Sequence, residues 1–172
     1  MTKKYVIDLG SAADIEMAIK GVEQYKQWLE QKTQELARRL AELGAQSAQL
    51  GFDYAFYVGD KNVKVSVRKK RGENAYIVTA NGEAVLFIEF GAGIAHAGTA
   101  HPEASEHGMG PGTYPGKGHW NNPHGWYLPK NVQQATGYKK TRGNPAYMPM
   151  YNARKAIEQN ISEIVREVFG SE

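Results

Sequence analysis

Residues 12–50 limit the fold more than any other part of the chain. They contain no proline and place an apolar residue at every seventh position: Ile15, Val22, Leu29, Leu36, Leu43 and Leu50. Ala18, Ile19, Tyr25 and Leu40 widen this row into a stripe, and Lys20, Glu23, Glu30, Glu35 and Arg38 cover the opposite face. Such a pattern is that of an amphipathic helix. At 1.5 Å per residue, some 37 helical residues extend roughly 55 Å. A compact chain of this length has a radius of gyration of only about 15–16 Å. The helix therefore overhangs its own domain unless it breaks at Gly21 or Gly44. An overhanging apolar stripe needs a partner. Lys26, Lys32, Thr33 and Arg39 interrupt the second apolar row, so the seam is not that of a regular coiled coil.

A β region follows. Lys4–Leu9 reads as a short edge strand before the helix, and YAFYVG (54–59) as a strand after it. NVKVSVR (62–68) alternates strictly, with Val63, Val65 and Val67 on the inner face. Arg71–Asn74 is a turn and AYIVTA (75–80) is a further strand. Asn81-Gly82 signals a hairpin, and AVLFIEFG (84–91) is apolar enough for a central strand. Residues 54–91 thus predict an antiparallel meander of about four strands. Regularity then stops. Residues 91–145 hold eleven of the nineteen glycines, six of the seven prolines and all five histidines. The aromatic residues Tyr114, Trp120, Trp126, Tyr127 and Tyr138 argue that this excursion folds against something, since disordered tracts are poor in aromatics. Helical periodicity returns after Pro145, with Ala153, Ile157, Ile161, Ile164, Val165 and Val168 on one face.

Composition narrows the chemistry. The chain of 172 residues is long enough for one domain with its own core. It has no cysteine, which excludes disulfides, thiolate metal sites and cysteine nucleophiles and suits a reducing compartment. No apolar run is long enough to cross a membrane, and the opening MTKKYVIDLGSAAD does not read as a signal peptide. The net charge of +3 is mild. The densest basic run, Arg68–Arg71, falls in the expected hairpin turn.

The stretch GMGPGTYPGKGHW (108–120) looks at first like a phosphate loop. It fails as one, because Pro111 stands where the first glycine of a P-loop belongs and Gly118 where Ser or Thr is required. His96, His101, His107, His119 and His124, with Glu103 and Glu106, supply enough ligands for zinc, but their spacing matches no finger and no HExxH helix. Glu89 sits between Ile88 and Phe90. Buried alone, its carboxyl would be hard to ionise; it is expected on the polar side of its strand or paired with a base.

The order of the parts carries a resemblance. LFIEFGAG closes the expected sheet, the glycine-rich excursion carries GMGPGTYPGKGHW and GWYLP, and TRGNPAYMPMYNA opens the last helix. In this order and in the Phe-x-Glu-Phe-Gly and Gly-x-Pro-Ala-x-x-Pro-Met segments, nearly the whole chain resembles the neck or tail-completion proteins that join head to tail in long-tailed bacteriophages and prophages. Ala92 stands where that family commonly has threonine. The resemblance implies a structural virion protein of the head–tail interface, in the neck or as a tail terminator. It implies a ring, most often of six subunits, between the portal-side connector or head-closure protein and the tail tube, with no catalytic residues and no cofactor. Phe87, Glu89, Phe90 and Gly91 would fix the strand end. Thr141, Gly143, Pro145, Ala146, Pro149, Met150 and Tyr151 would seat the returning chain on the sheet. Tyr114, Trp120, Trp126 and Tyr127 would anchor the docking loop to neighbours.

The expectation is therefore one α+β domain over residues 1–172. A long helix (12–50) and a C-terminal helix (146–170) pack on a mainly antiparallel sheet of about four strands (54–91), with a loop excursion over 92–145. The expected protein is assembled in the host cytoplasm, resides in the virion, contacts no membrane and touches passing DNA without specificity. Two rival readings are a metal-dependent hydrolase built on the loop histidines and a DNA-binding module using Arg68–Arg71.

Overall fold

Helix α1 spans Ala12–Tyr54 in the computed structural model, which describes residues 10–109 and 122–170. Ser11 caps its start, its hydroxyl accepting from the Asp14 amide at 3.3 Å. The helix passes through Gly21 and Gly44 without a break. Its last turn carries no basic residue. Lys61 supplies the missing charge, donating from Nζ to the carbonyls of Asp53 and Ala55, which α1 leaves without helical partners.

Four strands are present among the described residues, but they form two separate antiparallel pairs. Strands β1 (Lys64–Lys69) and β2 (Tyr76–Asn81) pair in a hairpin around the turn at Arg71–Asn74. Val63, Val65 and Val67 do turn inward, Val63 being buried and the others half-buried. The hairpin lies on α1 and is tied there by Gln49, whose amide donates to the Val63 carbonyl and accepts from the Val65 amide at 2.8 Å. Strands β3 (Trp126–Tyr127) and β4 (Lys140–Thr141) pair within the glycine-rich region, with helix α3 (Lys130–Thr136) between them. The α+β class holds; the single four-stranded meander does not.

Two expected strands are something else. YAFYVG is the end of α1 and the bend after it. AVLFIEFG contains helix α2, Val85–Phe90, ended by Gly91 at φ 80°. The five apolar residues in a row, 84–88, fit either period, so tertiary contacts decide. As a helix, the segment places Ala84 and Ile88 one above the other, both fully buried. Asn81-Gly82 accordingly ends β2 and turns the chain into α2 rather than into another strand.

Helix α4 spans Pro149–Gly170 and runs antiparallel to α1. Pro149 lies against Gly51, Ile157 against Gly44, Glu167 pairs with Arg39 at 2.7 Å, and Phe169 meets the ring of Trp28. The Ile157 side chain occupies the space that a larger residue at position 44 would need. The buried line of α1 is Ala41, Gly44, Ala48 and Phe52. The core gathers Phe52, Ala55, Val63, Ala84 and Ile88, flanked by Tyr57, Val65, Tyr147 and Met150.

Because α4 ends beside Trp28, residues 12–27 of α1 extend past it by about 24 Å. Met17, Ile19, Val22 and Tyr25 there are 65, 55, 59 and 48% exposed. The expected edge strand Lys4–Leu9 lies outside the described residues.

Candidate functional site

The site grows from one unusual feature of α4: the way it starts. Pro149 has no amide hydrogen, so the first turn has two orphan donors, on Met150 and Tyr151; the Asn152 amide already reaches the Met148 carbonyl at 2.9 Å. No neighbouring side chain caps them. Glu89, sixty residues earlier, does so with both oxygens. Oε2 accepts from the Met150 amide at 2.8 Å and Oε1 from the Tyr151 amide at 3.0 Å. A carboxylate here also meets the positive end of the helix dipole.

Glu89 is 5% exposed, and a third donor completes its environment. His101 Nε2 lies 3.2 Å from Glu89 Oε1. The other ring nitrogen, Nδ1, accepts from the Glu103 amide at 3.0 Å. A nitrogen that accepts carries no proton, so Nε2 carries it and donates to Glu89. The ring is held between Phe90, at 4.6 Å between centroids, and Tyr151, at 5.2 Å. Glu103 goes on to pair with Arg154 of α4 at 2.6 Å. That hydrogen bond raises the guanidinium's already high pKa further. Glu89, His101, Glu103 and Arg154 thus form a closed chain of contacts linking α2, the loop after it and α4.

A second set of bonds seats the returning chain. Ala92 and Asn144 exchange both backbone hydrogen bonds, at 2.9 and 3.0 Å. The Asn144 amide group donates to the Phe87 carbonyl at 2.8 Å, and the Tyr147 amide to the Ile88 carbonyl at 2.9 Å. Gly143 makes this approach possible. Its φ is 93°, and a Cβ there would overlap the Ala92 carbonyl.

On the other side of Phe87 lies a hollow of about 340 Å³. Phe56, Tyr57, Trp126 and Leu128 give it apolar walls, and Asp60 and Glu83 line it as well. Burial and the nearby Glu83 carboxylate together raise the Tyr57 phenol above its ordinary pKa, burial being the larger cause.

Most of the residues singled out in the sequence meet here, in changed roles. Phe87, Glu89, Phe90 and Gly91 fix a helix end, not a strand end. Gly143, Pro145, Ala146, Met150 and Tyr151 seat the chain on α2 and the Gly91–Ala92 segment, not on a sheet, whereas Thr141 pairs with Trp126 in the β3–β4 sheet and Pro149 lies against Gly51 of α1. Trp126 lines the apolar hollow. Tyr127 stands apart, 74% exposed. Tyr114 and Trp120 lie outside the described residues. His101 was readable only as one of five loop histidines, and nothing in the spacing from Glu89 to His101 signals that they meet. Asn144 and Tyr147 carried no signal.

Both nitrogens of His101 are engaged, and the Glu89 oxygens are filled by three donors, so this centre holds a junction closed. Among the described residues no group of three or more histidine or acidic side chains is placed to hold a metal ion. Comparison with models of known families, with curated proteins and with solved structures gives no match for this chain.

Proposed function

We propose that this chain is a structural subunit of the head–tail interface of a long-tailed phage, a neck or tail-completion protein that assembles as a ring between the portal-side connector and the tail tube. The observation that carries the reading is the free end of α1. Residues 12–27 project beyond α4 with Ile15, Met17, Ile19, Val22 and Tyr25 exposed. A ring subunit needs such a surface, because each copy must offer its neighbour a contact that closes by rotation. The Glu89 junction supports the same reading from inside. The segments that carry the resemblance, LFIEFG and NPAYMPMY, are the ones that bond to each other there. Their role in this reading is to hold α2 and α4 rigid while the helix end and the loops meet partners. No residue acts as a catalyst and no cofactor is required.

The test is the mass and shape of the full-length chain in solution. Light scattering combined with negative-stain microscopy should give closed rings, alone or on addition of connector or tube protein. A chain of 19.1 kDa that stays monomeric at high concentration and with both partners present contradicts the proposal.

A further inference from the structure

The charge of this chain is unevenly distributed. From His107 to Ile157 there is no aspartate or glutamate, while Lys117, Lys130, Lys139, Lys140, Arg142, Arg154 and Lys155 lie in the same stretch. The described part of this stretch folds into the unit formed by β3, α3 and β4. Lys140 in β4, Lys139 and Arg142 on either side of that strand, and Lys130 at the start of α3 are exposed. Among the described residues, none of these four cations has a carboxylate within 4.0 Å, whereas Arg154, in the same acid-free stretch, pairs with Glu103 and Glu158. Among the described residues, the Arg142 guanidinium donates only to a neutral carbonyl, that of Pro123, at 3.4 Å. His124, Lys140, Thr141 and Arg142 line an open hollow of about 520 Å³. Strand register sets Tyr127 opposite Lys140, with the ammonium 5.9 Å from the ring centre, and Tyr127 and Tyr138 are 74 and 53% exposed.

We infer that this face binds the phosphodiester backbone of a nucleic acid. Lys140 and Arg142 line the hollow together, Lys139 and Lys130 are exposed on the same unit, and among the described residues no carboxylate pairs with any of them. A polyanion that lays phosphates across them releases its condensed counterions, which drives sequence-independent association. The hollow admits a phosphate between Lys140 and Arg142, and the Tyr127 ring offers a flat apolar edge beside it. The hairpin run Arg68–Arg71 is the weaker candidate, since Lys70 pairs with Glu73 and Lys69 bonds to Gln34. The inference does not rest on ring formation, so the isolated subunit can test it.

The experiment is a titration of the full-length chain against a fluorescent 30-base-pair duplex of arbitrary sequence, from 50 to 200 mM salt. Four neutralised phosphates give a log–log salt slope of about −3.6, or a loss of affinity of about 150-fold across that range. Replacing Lys139, Lys140 and Arg142 with alanine should leave a slope near −0.9, with the circular dichroism spectrum unchanged. Replacing Arg68, Lys69, Lys70 and Arg71 should leave the slope as it was. No binding at 50 mM salt, the same slope in the triple variant, or a slope lost only in the hairpin variant overturns the inference. So does a polyglutamate of matched charge that competes as well as DNA. If the triple variant misfolds, Lys140→Ala with Arg142→Ala replaces it, with an expected slope near −1.8.

Discussion

Glu89 shows how burial and chemistry combine in a single side chain. A carboxylate out of water is tolerable only if donors replace the water, and here two backbone amides and one imidazole do so. Removing it leaves the α4 amides and the His101 Nε2–H unsatisfied in a buried place. Glu89→Ala should therefore cost about 3–5 kcal/mol, read as a shift in the urea midpoint. Glu89→Gln should cost less, since its carbonyl oxygen still accepts one amide, and a double-mutant cycle with His101→Ala should show coupling. An unchanged midpoint for Glu89→Ala would mean that the amides find water instead. Tyr57 makes a separate prediction through pH. Its phenol pKa is higher folded than the 10.0 of the free group. The unfolded chain therefore ionises first, the folded state holds the extra proton above pH 10, and stability falls as pH rises. The stability of wild type relative to Tyr57→Phe should fall as pH rises past 10.

At the scale of the elements, the contact between Ala92 and Asn144 depends on there being no side chain at position 143. Gly143→Ala should lose about 3 kcal/mol by forcing a strained positive φ and pushing the two bridged segments apart. Gly137→Ala is the control. Its φ is 76° but nothing lies within 4 Å, so only the backbone cost of about 1 kcal/mol remains. The elements also show what a sequence reading can and cannot recover. The length of α1 and the inward valines of β1 were readable because each follows one period over many positions. The burial of α1 was not. A strict seven-residue row drifts by about 20° per heptad on a straight helix, so from Ile15 to Leu50 it winds through roughly 100°. Leu50 ends 55% exposed, while Ala41, Gly44, Ala48 and Phe52 follow the true 3.6 period into the core. Helix α2 is not legible as a helix because the five apolar residues 84–88 fit a helix or a strand, and only the distant start of α4 decides between them. Of the junction, Glu89, Met150 and Tyr151 stand out in the sequence; His101 and Asn144 come from irregular chain with no periodic signal.

The whole molecule has two unequal ends. At one, α2, the start of α4 and the hairpin close round Phe52 and Ile88. At the other, α1 runs on past Phe169 with its apolar side chains in the open. Exposing such a helix end disfavours the lone subunit, and burying it against a neighbour recovers roughly 1.5–3 kcal/mol for each large side chain covered. We propose that this end joins one copy to the next. Native mass spectrometry of wild type beside the Ile19→Glu, Val22→Glu double variant tests it most directly. Neither residue supports the core, so helix content and the urea midpoint of the subunit should hold. The expected result is a ring mass for wild type, alone or with connector protein, and only the 19.1 kDa subunit for the variant under the same conditions. Rings of equal abundance in both samples, or monomers in both with connector present, would contradict the account.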